Sequence, residues 1–290
     1  MYRKRFLVPT FLLFASLCLC TGCGSLVRGA TAPLMDNLST SVMKQQDTEL
    51  VRLGAPAYLI LMDGLLEGSP DDPAMLLAAA KLYTAYGMAF AQADSEQSRL
   101  MSAKAKEYAV RAMALRNDTF ASLYDRPAEE FGPVAESLEP GDEPYILALV
   151  SAWAAYITAR PGSWDDFADI PKIEALAVRL LALDETYSLG TPHMILGILK
   201  TLLPADLGGK PDEAREHFER ALTISKGEYL PVYVAYAVRY ARTVYDRELH
   251  DTLLQHVLDA PADILPGQAL ANALAKRDAE RLLAEADEYF

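Results

Sequence analysis

Four histidines, three cysteines and the like pairs Glu129-Glu130 and Asp165-Asp166 are the residues of this chain to weigh first for metal, nucleophilic or acid–base chemistry. Their spacing argues against each in turn. His193, His217, His250 and His256 form no i, i+4 pair, and His250 and His256, six apart, sit on diverging helix faces. No cysteine follows Cys23 to complete a zinc site. A Gly-x-Ser-x-Gly elbow is missing too, so nucleophilic catalysis has no signature. Leu207-Gly208-Gly209-Lys210-Pro211 fails as a phosphate loop, which would need glycine at Pro204 and Ser or Thr at Pro211. It reads instead as a helix stop followed by a proline start. Glu129-Glu130 and Asp165-Asp166 lie in polar segments and read as solvated acids, since paired carboxylates do acid–base work only when burial separates their pKa values. The expectation is a protein that is not an enzyme and uses neither metal nor cofactor.

The aromatics are the better lead. Tyr83 and Tyr86 share one apolar helix, and Tyr233, Tyr236 and Tyr240, at i, i+3 and i+7, fall on one face of another. Core packing, with each hydroxyl finding a partner, is the ordinary outcome for such residues. The sharper expectation is that Tyr236, Tyr240, Tyr83 and Tyr86 line a cleft or channel for an apolar or amphipathic small molecule.

The elements that must position these side chains are helices. Ala and Leu dominate, apolar residues recur with helical period, and alternating β-branched runs are missing. Proline and glycine punctuate the chain at helix-length intervals. The pattern predicts helices near Pro33–Leu53, from Pro56 to Gly68, from Pro73 to about Asp94, and over Glu96–Arg116, Glu143–Ala159, Pro171–Asp184, Pro192–Leu203, Pro211–Ser225, Leu230–Val244, Arg247–Leu258 and Pro266–Glu288. Asp72 caps the third of these, with Pro73 in its first turn. That helix is apolar on nearly all sides, which predicts a place in the middle of a bundle.

Within the helices a repeat is visible. Asp212 to Leu222 has small Ala214 and Ala221 seven apart with large Phe218 between them, the pattern of the second helix of a tetratricopeptide repeat. Ala105 to Leu115 repeats the seven-residue alanine spacing, and Ile173 to Asp184 keeps only the Leu-Leu-Ala-Leu-Asp ending. Leu196-Gly197 suits the large–small pair of a first helix. The fold class expected is all-α: degenerate tetratricopeptide-like hairpins stacked into one compact curved domain, each pair burying its apolar face against its neighbours.

At the N-terminus, Arg3, Lys4 and Arg5 precede an apolar run from Phe6 to Leu19 that is too short to span a bilayer comfortably. The run closes on Leu19-Cys20-Thr21-Gly22-Cys23, which resembles the lipobox of bacterial lipoproteins apart from Cys20, where leucine is usual. Residues 1–22 therefore read as a lipoprotein signal peptide and 23–290 as a single helical domain, with Cys23 as the lipidation site. Two acyl chains anchor a soluble domain stably where one is marginal. Cleavage removes three cations and no acids, taking the formal net charge from −13 to −16. A surface that acidic argues against nucleic acid as a partner and leaves membrane attachment to the lipid. Gly24 after the cysteine, by resemblance to the enterobacterial sorting rule, slightly favours the outer membrane on its periplasmic side.

The C-terminal half resembles the TatT family, tetratricopeptide lipoproteins associated with tripartite ATP-independent periplasmic (TRAP) transporters. The resemblance is carried by Leu202-Leu203-Pro204 to Leu207-Gly208-Gly209-Lys210-Pro211, the Ala214–Leu222 helix, Gly227 to Leu230-Pro231, Asn272-Ala273-Leu274-Ala275-Lys276, and the ending Asp287-Glu288-Tyr289-Phe290. It implies a periplasmic accessory subunit that pairs with the transporter's solute-binding protein, a homotrimer, and a hydrophobic passage in each protomer. It fixes no ligand residues. A scaffold lipoprotein for outer-membrane or pilus assembly is the alternative reading, separated from the first by whether an apolar, aromatic-lined interior exists.

Overall fold

The structure, a computed structural model, describes residues 40–92, 95–261 and 263–290. Cys23, the signal segment and the start of the helix expected at Pro33 lie outside the described residues. The chain is all-α: 14 α-helices and no strands among the described residues, 77% helical. The helices are α1 (Thr48–Gly68), α2 (Pro73–Phe90), α3 (Glu96–Arg116), α4 (Asp118–Leu123), α5 (Gly132–Ser137), α6 (Glu143–Thr158), α7 (Trp164–Phe167), α8 (Ile170–Leu183), α9 (Thr191–Lys200), α10 (Pro211–Ile224), α11 (Pro231–Ala235), α12 (Arg247–Asp259), α13 (Ala269–Ala284) and α14 (Ala286–Tyr289).

Antiparallel neighbours form the expected hairpins, α2 with α3, α6 with α8, α9 with α10, and α11 with α12, and each packs on the next. The small–large–small pattern does what its spacing requires. Ala214, Phe218 and Ala221 are wholly buried in α10, as are Ala105 and Ala112 in α3. Two apolar cores result. One spans α1 to α9, around Trp153, Phe120 and Leu149, and the other joins α9 to α13 around Phe218, Tyr236 and Leu254. The Leu-Gly-Gly loop is a backbone device: a side chain at Gly209 would overlap the carbonyl of Leu203, and Lys210 N donates to Lys200 O at 2.8 Å to close the turn.

Three expectations are corrected. The helix that carries Pro56 does not start there. It begins after Asp47, whose carboxylate accepts from Glu49 N and Leu50 N, and runs through the proline to Gly68. A proline in a helix leaves the carbonyl four residues earlier without its donor. Here that carbonyl, of Arg52, receives the Tyr86 hydroxyl at 3.4 Å. Second, α2 is not enclosed by a bundle: Lys81, Ala85 and Met88 are exposed along one side. Third, the helix expected over 230–244 changes type. After α11 it widens into a π-helical turn over Tyr236–Ala241, with Arg242 N donating to Ala237 O and Asp246 N to Ala241 O, both five residues back.

The stack also closes on itself. Leu270 of α13 is buried in the N-terminal core and Leu274 packs against it. Arg277 donates to Ala89 O at 2.8 Å and lies over the Phe90 ring. The last long helix thus meets α1 and the end of α2.

Candidate functional site

The exposed side of α2 borders a cleft of about 210 Å³. Its walls come from three helices and the π turn: Tyr83, Thr84, Gly87 and Met88 of α2, Ser98 and Ser102 of α3, Ala155 and Thr158 of α6, and Arg239. Each wall follows from its sequence. Asp72 caps α2 by accepting from Ala74 N and Met75 N, and Pro73 pre-sets its first turn. In α6, Ala155 and Thr158 stand on the half-buried side of a helix otherwise committed to the core. The π turn shifts the side chains after Ala235 relative to an unbroken helix, and it is from this turn that Arg239 reaches the cleft. The cleft is smaller than the roughly 300–1,000 Å³ of sites for drug-sized molecules, so it suits a short ligand. The hydroxyl of Thr84, buried in the wall, has no hydrogen-bond partner among the described residues.

The structure separates the four tyrosines singled out from the sequence. Tyr83 alone lines the cleft, and its hydroxyl faces away, donating to Asp63 at 2.8 Å. The same carboxylate accepts from Tyr108 at 2.7 Å and Lys104 at 2.5 Å, joining α1 to α2 and α3. Burial and the Asp63 charge push Tyr108 up to about 12. Tyr86 serves the Arg52 carbonyl. Tyr236 is buried in the second core, stacked on Phe218 with ring centroids 5.1 Å apart, and Tyr240 packs beside it. Tyr233 leaves that stripe to stack on His256 at 4.3 Å.

Two arrangements escaped sequence reasoning, the first because it joins two helices and the second because helical spacing does not say which apolar face stays exposed. His193 of α9 and His217 of α10 meet through their Nδ1 atoms at 2.9 Å, and Glu185 lies 3.4 Å from His193 Nε2. Desolvation, reinforced by the neighbouring His193, holds His217 down at about 4. No three of His, Cys, Asp and Glu converge on a metal-sized site among the described residues. Asp166, expected to be solvated, is largely buried and paired with Arg160 at 2.8 Å. Glu129 and Glu130 are exposed.

The second arrangement is a surface. Leu50, Leu53, Ala57, Ile60 and Gly64 are exposed along α1 at alternating three- and four-residue steps, with Leu61 beside them. The four large residues are 47–73% exposed. This is the spacing of a helix seam that packs on another helix. No described helix is long and apolar enough to cross a membrane.

A family model described as TRAP transporter T-component matches residues 44–290. The chain belongs to the TRAP transporter T-component family. The match begins just ahead of α1 and takes in α1 to α14, so the hairpin stack, the closure by α13 and the cleft beside α2 all fall within it. Its place is that of a transporter accessory component. No curated protein matches the chain.

Proposed function

We propose that this T-component is a lipid-anchored accessory subunit on the periplasmic side of a bacterial membrane, with the outer membrane favoured. It docks the solute-binding protein of a TRAP transporter and shelters an apolar or amphipathic solute during uptake. Cys23 carries the anchor, and the formal charge of −16 after cleavage keeps the domain off anionic headgroups. The α1 seam suits self-association: a continuous apolar face of this kind is typical of permanent, symmetric interfaces more than of transient ones. It supports the homotrimer that the family resemblance implies.

The observations that carry the transport reading are the closure of α13 onto α1 and the end of α2 and the cleft between α2, α3, α6 and the π turn. A scaffold that presents a groove to peptides needs an open concave face. Here the last long helix folds back onto α1 and the end of α2, and the cleft beside α2 is of small-molecule size, which favours sheltering a solute over assembling a pilus or outer membrane. Sedimentation velocity of the purified protein with the cognate solute-binding protein, at physiological salt, tests the docking. A complex at micromolar concentration is expected. No complex at tens of micromolar refutes docking, and a concave face that binds outer-membrane or pilus subunits in its place supports the scaffold.

A further inference from the structure

Thr84 breaks a pattern that several helical hydroxyls keep. Ser102, Thr158, Thr201, Thr223 and Ser225 each donate to a backbone carbonyl three or four residues back. Two of these, Ser102 and Thr158, line the same cleft as Thr84 and are satisfied in this way. Thr84 lies well inside α2 and is only 8% exposed, yet its hydroxyl is covered and has no partner among the described residues. Burying a hydroxyl without a hydrogen bond is destabilising, and valine would fill the same space without that loss. Trp153, Arg242 and His250 also carry a buried unpartnered nitrogen, but none of the three lines the cleft. At Thr84 an unmet hydrogen bond and a cavity coincide.

We propose that Thr84 is a ligand-binding residue, its hydroxyl bonded to the accepting oxygen, carbonyl or carboxylate, of a short amphipathic molecule held in the cleft. This rests on the sheltering reading given above and narrows its solute to one with an accepting head. Threonine in a helix divides between two χ1 rotamers, so a single rotation turns the covered hydroxyl towards a ligand. The described wall supplies donors, from the Thr84 and Ser98 hydroxyls and the Arg239 guanidinium, and no carboxylate. Arg239 also interacts within the protein, but with five N–H donors it keeps some for a ligand. An ammonium head would meet Arg239 as a like charge and find no acid to pair with. Met88, Ala91, Ala155 and Ala159 leave apolar surface for the tail, and a cleft of about 210 Å³ keeps that tail short.

The test is a titration followed by ligand-observed NMR with pentan-2-one, butanoate and butylammonium, on the full-length protein in amphipol blanked against empty amphipol. The parent is expected to bind the ketone and the acid but not the amine, the tighter of the two naming the head. Thr84→Val should weaken the ketone roughly 3–10-fold, the worth of one net hydrogen bond, and Thr84→Ser should restore it. The same Thr84→Val change should raise the Tm of the unliganded protein, which a hydroxyl partnered inside the fold would not allow. If Thr84→Val holds the ketone as tightly as the parent, or melts below it, the role of Thr84 is overturned and sheltering stands. Butylammonium bound as tightly as the ketone overturns the accepting head. If the parent binds none of the three, sheltering falls and the assignment falls with it.

Discussion

Gly197→Ala isolates the contact on which the repeat register depends. Gly197 lies in α9, and a methyl group there would stand 2.8, 2.9 and 3.0 Å from three carbons of the Phe218 ring of α10. Phe218 has little room to retreat: it is wholly buried, flanked by buried Ala214 and Ala221, and stacked on Tyr236 with the rings 15° from parallel. Overpacking of a tight core costs about 1–3 kcal/mol, and the immobile ring puts this site near about 3. Alanine recovers about 1 kcal/mol of helix propensity over glycine. The net loss is about 2 kcal/mol, a fall in Tm of roughly 4–8 °C for a domain of this size. Gly54→Ala, in α1 with nothing within 4 Å of the added carbon, is the control and should melt slightly higher than the parent. Adding Phe218→Leu to Gly197→Ala should return part of the loss, because the two residues share one space. A calorimetric Tm for Gly197→Ala equal to or above the parent would refute the α9–α10 packing.

Cys23→Ala should yield a protein released from membranes or held as an unprocessed precursor, read by fractionation and intact mass; normal processing with unchanged membrane association would refute the anchor. The His193–His217 pair makes stability fall with acidity. His217 binds its proton less readily folded (about 4) than unfolded (about 6.5), so its contribution is whole above pH 6.5 and is lost as pH falls towards 4. His217→Gln should flatten that slope by about 2 kcal/mol, discounted from about 3 because the ring is only partly buried, in urea titrations from pH 7 to 4. Parallel slopes would refute the assignment. Leu53→Glu with Ile60→Glu should dissociate the oligomer in sedimentation equilibrium without lowering the monomer's helicity; an unchanged assembly would place the interface elsewhere.

Helix positions were legible because proline, glycine and capping aspartates mark ends locally, and Ala214, Phe218 and Ala221 disclosed the hairpin register through spacing alone. Pro56 misled because its cost is met from another helix, by Tyr86 through the Arg52 carbonyl. The π turn left no mark in the sequence, since its insertion is accommodated against α10 and α12. For the site, Tyr83 was found by its place on an apolar helix, yet Tyr236 and Tyr240 share that signature while filling a core.

The most direct measurement of the central claim is solute uptake by cells carrying the transporter with the T-component deleted, restored, or restored with Cys23→Ala. The account expects uptake to fall on deletion, to return with the parent, and to return poorly with the unanchored variant, while the solute-binding protein copurifies with the parent from solubilised membranes. Uptake unaltered by deletion, with no solute-binding protein recovered, would contradict it.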